Sequence, residues 1–340
     1  MIYTLTPNPA LDLSGIVERV VPNEKAYVTD ERRFPGGNAI NAARVISEMG
    51  IPVVASGFVG GATGEEIKSL LQQEGVQHHF IPIAGHTRIN ITVSTRKTHL
   101  QTRLSFPGPR IHESEIRILK KWLGRIKNPA LVIVGGSLPP GFSFITLRSL
   151  LDELKRRGIP FVVDVPGSIL RKVLVAKPVL IKPNLTEFQE MSSQQVSSLS
   201  QVLRHAKVLA EKIAFVCVSS VQGGAILVTS QNAWFGRIPK IRVRTSVGAG
   251  DAMVGAMAAH FHRQKVHTWE EFMEAAKDKA FGAEVLRWGL AAACATLITP
   301  GTLMARFKDT KKFSPRIFLR EISTERDHEL HFLTKGEKHV

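Results

Sequence analysis

The sequence predicts an α/β fold in which a mostly parallel sheet is covered by helices on both faces. Short apolar runs suited to buried strands alternate with segments of helical periodicity, which is the pattern of parallel sheets. Neither an internal repeat nor a low-complexity linker interrupts the alternation. Two regions depart from it, residues 13–33 and 88–106, where polar and apolar residues alternate without a helical pattern between them. They predict antiparallel strands that form a small lid apart from the main sheet.

The predicted strands and helices follow one another in chain order. Each strand is a short run rich in Val, Ile and Leu, as expected for a strand buried on both faces. The helices are longer segments whose apolar residues recur every three or four positions. The predicted strands are residues 2–5, 53–58, 131–134, 161–164, 179–182 and 215–219, and the predicted helices are residues 39–49, 64–74, 113–126, 144–157 and 198–211.

The sequence predicts one domain over residues 1–305, with the lid strands as part of it. An alanine-rich run at residues 289–299 suits a buried helix near its end. Beyond Arg306 the sequence is polar and weakly patterned. We expect this C-terminal extension, residues 306–340, to consist of a peripheral helix and a mobile end.

The composition is that of a soluble globular protein, because 44% of the 340 residues are hydrophobic and 22% are charged. The first residues form an apolar run of strand type and lack the basic region of a signal peptide. No apolar run reaches the roughly 18 residues that span a membrane. Cys217 and Cys294 lie in apolar surroundings, which favours two buried thiols over a disulfide. We therefore expect a cytoplasmic protein without a membrane partner.

The net charge of +16 admits two interpretations. A nucleic-acid-binding protein would carry clustered Lys and Arg or interleaved aromatic residues, and the sequence has neither a basic arm nor such aromatics. The local basic excess over residues 237–244 alternates with apolar residues, which predicts a strand with one solvated face. We expect no nucleic-acid partner, and a small anionic substrate accounts for part of the charge.

The segment TSVGAGD, residues 245–251, carries the strongest functional signal. Its two glycines allow a tight turn in which successive N–H groups converge, and the small apolar run that follows predicts a helix whose dipole attracts the same anion. Asp251 fits such an anion cradle if it accepts a proton from an attacking hydroxyl while the amides stabilise a phosphoryl group. The alternative is a glycine-rich helix start with an ordinary acidic residue in its first turn.

Five further polar motifs lie close to the ends of predicted strands or the starts of predicted helices. Ligands of open α/β sheets bind at the carboxyl ends of the strands, and these motifs fall at that edge. Each motif alone is typical of a turn, but together with Asp251 they indicate a ligand site. The motifs are TPNPALD at residues 6–12, PGGNAIN at 35–41, GGATG at 60–64, GGSLPPG at 135–141 and PNLTE at 183–187.

The ordered set of motifs resembles the ribokinase-like PfkB family of sugar kinases, and within it the phosphofructokinase branch. The resemblance covers residues 1 to about 305 and implies a ribokinase-like three-layer sandwich with a β-strand lid, together with ATP and Mg²⁺. The family pattern is carried by Gly36-Gly37 with Asn41, GSLPPG at 136–141, KPNLTE at 182–187 and GAGD at 248–251. The branch is indicated by TLTPNPALD at 4–12, GGATGE at 60–65, Thr87-Arg88 with Asn90, and SVGAGDAMVGAM at 246–257.

The resemblance implies a role for each candidate site residue. Asp251 is the expected general base, and the anion hole for the γ-phosphoryl group is expected at Gly248, Ala249 and Gly250. The expected substrate-binding residues are Asp12, Gly36, Gly37, Asn38 and Asn41 for the sugar, with Arg88, Arg103 and Ser137 for the phosphate that it already carries. The expected nucleotide-binding residues are Lys182, Asn184, Ser219 and Gly224, and the expected acidic groups near Mg²⁺ are Glu187 and Asp164.

Three positions depart from the family pattern. Val221 stands where the loop over the ATP phosphates is expected to have a glycine, which predicts altered phosphate contacts. Asn38 and Ala39 replace the Gly-Gly or Lys-Gly that often follows the glycine pair, which leaves the sugar preference open. Thr299-Pro300 replaces a polar pair close to where some relatives bind a monovalent cation. None of these changes removes a residue assigned to the chemistry.

The predicted activity is ATP- and Mg²⁺-dependent phosphorylation of a phosphorylated ketohexose, with fructose 6-phosphate converted to fructose 1,6-bisphosphate. Fructose 1-phosphate and tagatose 6-phosphate are alternative substrates, the former disfavoured by Asn38 in place of a lysine. A non-catalytic sugar-phosphate sensor or nucleic-acid-associated protein is an alternative of another class, motivated by Val221, Asn38 and the net charge. The presence of Asp251, Glu187 and both lid arginines, Arg88 and Arg103, argues against it. The lid strands predict a homodimer, because exposed strand edges pair with partner chains.

Overall fold

Two sheets organise the chain, a main sheet of ten strands and a smaller one of four, within the residues that the structure describes. The structure is a computed structural model that describes residues 1–98, 100–192, 196 and 198–323. The strands are β1 (Ile2–Thr6), β2 (Ala10–Val17), β3 (Thr29–Gly36), β4 (Val53–Val59), β5 (Gln77–Pro82), β6 (Arg88–Thr95), β7 (Gln101–Leu104), β8 (Leu131–Gly135), β9 (Phe161–Asp164), β10 (Leu180–Ile181), β11 (Phe215–Val221), β12 (Gly224–Val228), β13 (Ala233–Arg237) and β14 (Phe318–Glu321). The helices are α1 (Asn38–Glu48), α2 (Gly61–Gln73), α3 (Glu113–Arg125), α4 (Phe144–Arg156), α5 (Gly167–Val173), α6 (Leu185–Ser192), α7 (Leu199–Ala210), α8 (Ala249–Arg263), α9 (Trp269–Ala275), α10 (Lys279–Leu297) and α11 (Phe307–Phe313).

The ten-stranded sheet is parallel over most of its width. Its strand order is β14-β13-β12-β11-β10-β9-β8-β1-β4-β5, and every neighbouring pair from β11 to β5 is parallel. The last three strands, β12, β13 and β14, add an antiparallel edge. The six strands that the apolar runs predict are all present, and the predicted α/β class is confirmed.

Helices cover both faces of the main sheet, so that the fold has three layers. One apolar layer joins the sheet to α1, α2, α8 and α10, and a second joins its other face to α3, α4, α5 and α7. Both cysteines are buried as free thiols. None of the helices in the described residues is long and apolar enough to cross a membrane.

Helices α1 and α8 approach each other closely, because α8 begins with small residues. A Cβ added at Gly255 would lie 2.7 Å from the carbonyl oxygen of Ala42 in α1, which is too short for a side chain. The approach sets the first turns of the two helices side by side. Asn41 lies in one of these turns and Asp251 in the other.

The four-stranded sheet, called the lid sheet below, forms the predicted lid with one difference in pairing. Its order is β3-β2-β6-β7, and the pairs β2–β3 and β6–β7 are antiparallel as expected. The pairing of β2 with β6 is parallel and sets Asp12 opposite Asn90, so the expectation of a purely antiparallel lid is wrong. Local alternation identifies each pair of strands, whereas the pairing between them depends on how they meet in the folded chain. The lid also begins earlier than residue 13, and Asp12 is part of it.

The predicted strand over residues 237–244 is wrong, because β13 ends at Arg237. Ile238 and Ile241 instead pack against the core from an irregular segment. The alternation of basic and apolar residues therefore reflects single apolar contacts of a loop. A strand that the sequence patterns missed is β5, whose residues include two histidines and lie at the edge of the main sheet.

The first part of the C-terminal extension joins the fold. β14 pairs antiparallel with β13, with Trp234 opposite Glu321, and α11 packs beside α10. Residues 307–321 therefore contribute a helix and the last strand of the main sheet. The rest of the extension, residues 324–340, lies outside the described residues, so the predicted mobile end stays a prediction.

Candidate active site

A cavity of about 540 Å³ lies between the lid sheet and the carboxyl ends of strands β9, β10 and β11. It gathers residues from distant parts of the chain, as expected at the carboxyl edge of a parallel sheet. Of the sequence-predicted site residues, it is lined by Asp12, Gly37, Asn38, Asn41, Arg88, Arg103, Asp164, Lys182, Asn184, Glu187, Ser219, Gly224, Gly248, Ala249, Gly250 and Asp251. The two that do not line it are Gly36 and Ser137.

The N-terminus of α8 forms one wall of the cavity. Gly248 precedes the helix with φ +79°, a left-handed conformation that favours glycine, and a Cβ there would also meet the methyl group of Met304 at 2.4 Å. The first N–H groups of a helix lack partners within it, so those of this turn are available to an anion. The Lys182 ammonium lies only 3.0 Å from where a Cβ on Gly250 would stand. The turn therefore combines a helix N-terminus with a fixed positive charge.

Asp251 lies in the first turn of α8, with its carboxylate held by α1. The Asn41 Nδ2 donates a hydrogen bond of 2.8 Å to Oδ2 of Asp251, and Oδ1 has no hydrogen-bond partner among the described residues. Burial and, next, the charge of Asp164 raise the pKa of Asp251 to about 7, against the opposing effects of Asn41, Lys182 and Arg103. A carboxyl group with a pKa near neutrality is suited to accept a proton at physiological pH.

Lys182 and Asp164 form a buried ion pair in the wall of the cavity. The ammonium lies 3.4 Å from Oδ1 of Asp164, and Asn38 Nδ2 lies at 3.4 Å from Oδ2 of the same carboxylate. Burial lowers the pKa of Lys182, but the carboxylates of Asp164, Asp251 and Glu187 outweigh this effect and raise it overall. Lys182 therefore carries its charge in the cavity at neutral pH.

Asn184 and Glu187 have a structural role at the start of α6. The Asn184 N–H donates to Oε2 of Glu187 at 2.8 Å, and the Glu187 N–H donates to Oδ1 of Asn184 at 2.9 Å. This reciprocal pair is a capping box that fixes both side chains beside the cavity. Burial raises the pKa of Glu187, and the nearby charge of Asp164 adds to the rise.

The acidic residues of the cavity are suited to a magnesium ion that keeps most of its water. Across the described ranges, no three carboxylate, imidazole or thiol side chains converge to form a complete metal site. Mg²⁺ commonly binds through one or two carboxylates together with water and substrate phosphates. Glu187 and Asp164 supply two carboxylates whose mutual repulsion a cation would relieve.

Asp12 and Asn90 face the cavity from the lid sheet. Asn90 Nδ2 donates a 2.9 Å hydrogen bond to Oδ1 of Asp12, and both side chains are buried. A Cβ on Gly36 would lie 2.4 Å from the Asp12 carboxyl carbon, so the glycine allows this carboxylate to lie against the backbone. Burial raises the pKa of Asp12, although Asn90 and the arginines Arg103 and Arg88 oppose the rise. The site prediction omitted Asn90, which the alternation of β6 places on the same face as Arg88.

The two lid arginines differ in how the protein holds them. Arg88 donates to the carbonyl oxygens of Phe106 at 2.7 Å and Asn8 at 2.9 Å, and burial lowers its pKa. Ser137 lies behind this guanidinium, with its Oγ 3.3 Å from Arg88 Nη2, and not on the cavity wall. Arg103 lies on β7 and is exposed, and its guanidinium makes no hydrogen bond or ion pair with side chains or carbonyl groups of the described residues. Arg88 is thus fixed in place, whereas Arg103 is free to reach a ligand.

The turn between β11 and β12 brings Ser219 and Gly224 to the cavity. Positive φ angles occur at Ser220, Gln222 and Gly223, and not at Val221. The Val221 side chain is fully buried in the apolar layer on the far face of the sheet. The Val221 side chain therefore packs in the core and does not enter the loop. Its position does not support the expectation that it alters the phosphate contacts of the loop.

The chain is similar to known proteins over most of its length. Residues 8–303 match the family described as pfkB family carbohydrate kinase. ATP-dependent 6-phosphofructokinase isozyme 2 of Escherichia coli (strain K12) is 32% identical over 314 residues, which are 92% of this chain and 97% of that protein. 1-Phosphofructokinase of Bacillus subtilis (strain 168) is 32% identical over 265 residues, 78% of this chain and 86% of that protein. The crystal structure of phosphofructokinase-2 from Escherichia coli in complex with substrates and products has a TM-score of 0.84 and 32% identity, and the match covers 93% of this chain and 98% of that chain.

Proposed function

The chain belongs to the pfkB family of carbohydrate kinases, and we propose that it transfers the γ-phosphoryl group of ATP to the 1-hydroxyl of fructose 6-phosphate. The observation that carries this proposal is the arrangement of one cavity: a carboxyl group with a pKa of about 7 at a helix N-terminus, and two arginines on the lid above it. The positive charge of Arg103 lowers the pKa of both Asp12 and Asp251, so its guanidinium is close enough to influence both carboxyl groups. A phosphate held by Arg103 would thus lie close to the residues that hold and activate the sugar.

Asp251 is the proposed general base. Asn41 occupies its Oδ2, and Oδ1 is left to accept the proton of the attacking hydroxyl. Asp12, held by Asn90, would accept hydrogen bonds from other sugar hydroxyls and so orient the ring. The geometry supports an in-line attack on a phosphoryl group placed at the α8 N-terminus.

Charge on the transferred group would be stabilised by the first turn of α8 and by Lys182. The N–H groups of Gly248, Ala249 and Gly250 are proposed to bind its equatorial oxygens, and the Lys182 ammonium lies against this turn. Glu187 and Asp164 would hold Mg²⁺, directly or through water, beside the Asn184–Ser219 edge of the cavity. Bound Mg²⁺ neutralises phosphate oxygens of ATP.

The substrate is tested by ADP release with ATP and Mg²⁺ against fructose 6-phosphate, fructose 1-phosphate, tagatose 6-phosphate, fructose and ribose. Turnover confined to fructose 6-phosphate would support the proposal, and turnover with another phosphorylated ketose would support the kinase and change its substrate. Turnover only with unphosphorylated sugars would contradict the proposed arginine clamp. No turnover with any sugar would favour the sensor hypothesis.

We expect kcat/KM to fall as the pH is lowered through about 7. The base must be ionised, and burial raises the pKa of the Asp251 carboxyl to about 7, so protons compete with the reaction below that value. The measurement is kcat/KM for the accepted sugar phosphate between about pH 6 and 9. A profile that stays flat down to pH 6 would contradict the assignment of Asp251 as the base.

Glu187→Gln is expected to raise the Mg²⁺ concentration for half-maximal activity by about tenfold or more. The glutamine oxygen can still accept the Asn184 N–H bond, so the cap of α6 is kept while the negative charge is lost. Glu271→Gln is the matched control, because Glu271 occupies the same position in the capping box of α9 and does not line the cavity. An equal change in both variants would show that only helix capping is affected.

A homodimer through the lid sheet remains part of the proposal. β3 and β7 are the edge strands of this sheet, and the apolar side chains of Leu100 and Leu104 are 70% and 53% exposed. Such edges and patches pair readily with a second copy. Light scattering at working concentration tests this, and a monomer there would contradict it.

A further inference from the structure

Arg44 is a buried arginine outside the cavity wall, and it is held in place from several directions. Its side chain is 3% exposed and donates two hydrogen bonds to the carboxylate of Glu74, at 2.6 and 2.7 Å. Its Nη1 lies 3.3 Å from Oδ1 of Asn41 and equally close to the carbonyl oxygens of Pro35 and Thr302. The guanidinium therefore joins the end of α2, the end of β3 and the segment after α10.

The contact with Asn41 fixes the orientation of its amide group. A guanidinium carries donors only, so the amide oxygen must face Arg44. The amide nitrogen then faces Asp251, where its N–H donates to Oδ2. A flipped amide would set N–H against the guanidinium and oxygen against the carboxylate, which is unfavourable on both sides.

We propose that Arg44, locked by Glu74, is a positioning residue that orients the Asn41 amide and through it the Asp251 carboxylate. This inference rests on the proposed function, because it takes Asp251 as the base. In this relay from Glu74 through Arg44 and Asn41 to Asp251, Oδ2 of Asp251 accepts the Asn41 hydrogen bond and Oδ1 is left for the cavity. Neither Arg44 nor Glu74 lines the cavity, so neither is proposed to touch substrate.

The test compares Arg44→Met, Arg44→Lys and Glu74→Gln with the unmodified full chain. Arg148→Met serves as the matched control, since Arg148 pairs with Asp152 within α4 at the surface. The first readout is the NMR signal pair of the Asn41 side-chain amide, assigned by its loss in Asn41→Asp. It reports the orientation and hydrogen exchange of the amide and requires no turnover.

The second readout is the pH profile of kcat and KM. The charged groups that act on Asp251 are Asp164 at the end of β9, Lys182 after β10 and Arg103 on β7, and none of them changes in these variants. The hydrogen bond from Asn41 lowers the pKa of Asp251. Without it, we expect the acidic limb of the profile, where kcat falls as the pH is lowered, to move upward by about one pH unit, and kcat to fall by about tenfold or more. KM for ATP should stay unchanged. Arg44→Lys and Glu74→Gln should shift the limb less, in the same direction.

Faster exchange of the Asn41 amide together with a shifted limb would support the relay. Unchanged amide signals and an unmoved limb would overturn it, even if the variants were less stable. If Arg44→Met fails to fold, Glu74→Gln decides the question by the same criteria. If the unmodified chain phosphorylates no sugar, the proposed function fails, whereas the amide readout still decides whether Arg44 orients Asn41.

Discussion

Asp251→Asn is expected to lower kcat by about 10³-fold and to leave the affinity for ATP nearly unchanged. The asparagine side chain has the same shape as aspartate and cannot accept the hydroxyl proton as a base. The loop that carries the α8 N-terminus is shaped by Gly248 at φ +79°, which the substitution leaves in place. The variant therefore loses proton transfer and keeps the turn that is proposed to bind the nucleotide.

The measurement combines steady-state turnover with calorimetric titration of ATP. Asp152→Asn is a suitable control, because Asp152 lies in an exposed pair on α4 and away from the cavity. Turnover of Asp251→Asn within about tenfold of the unmodified enzyme would show that another group acts as the base. Asp12 would then be the first candidate, since it is a buried carboxyl group on the lid side of the cavity and burial raises its pKa.

Arg103→Met is expected to raise KM for the phosphorylated ketohexose by about 100-fold, with KM for ATP unchanged. A charge-assisted pair between guanidinium and phosphate stabilises the complex by about 2–3 kcal/mol, which corresponds to this factor. Arg103 gives a cleaner test than Arg88. The latter also donates to backbone carbonyls of the lid, and its loss would leave them without a partner.

The control for this prediction is Arg96→Met, because Arg96 lies just beyond β6 in an exposed pair with Glu18. The effect should be confined to phosphorylated substrates, so the preference for fructose 6-phosphate over fructose should fall with the rise in KM. If Arg103→Met weakens both sugars equally, the residue serves the shape of the lid and not the recognition of phosphate.

The sequence predicts the interior of the main sheet well and its margins poorly. β8 and β9 are buried on both faces, and short continuous runs rich in Val and Ile are typical of such strands. β5 lies at an edge and has exposed positions, so its pattern resembles that of a loop. β14 is placed in the sheet by its partner β13, which local sequence does not reveal.

The candidate site also has a part that the sequence predicts and a part that it does not. Motifs with fixed spacing lead to Asp251, Glu187 and Asn41, and the structure brings all three to one cavity. The side chains that support the site depend on contacts that local sequence does not reveal: Asn90 holds Asp12 across two lid strands, and Arg44, three residues after Asn41 in α1, is locked by Glu74 at the end of α2. Ser137 shows the opposite case: it belongs to a motif, and the fold sets it behind Arg88.

The parallel pairing of β2 with β6 has a consequence for how such an enzyme diversifies. The groups proposed for phosphoryl transfer belong to the main sheet and its helices, whereas Asp12, Asn90 and Arg88 stand on two adjoining strands of the lid sheet. If Asp12, Asn90 and Arg88 hold the sugar as proposed, substitutions on these two strands would change the sugar that is accepted while leaving the groups proposed for phosphoryl transfer in place.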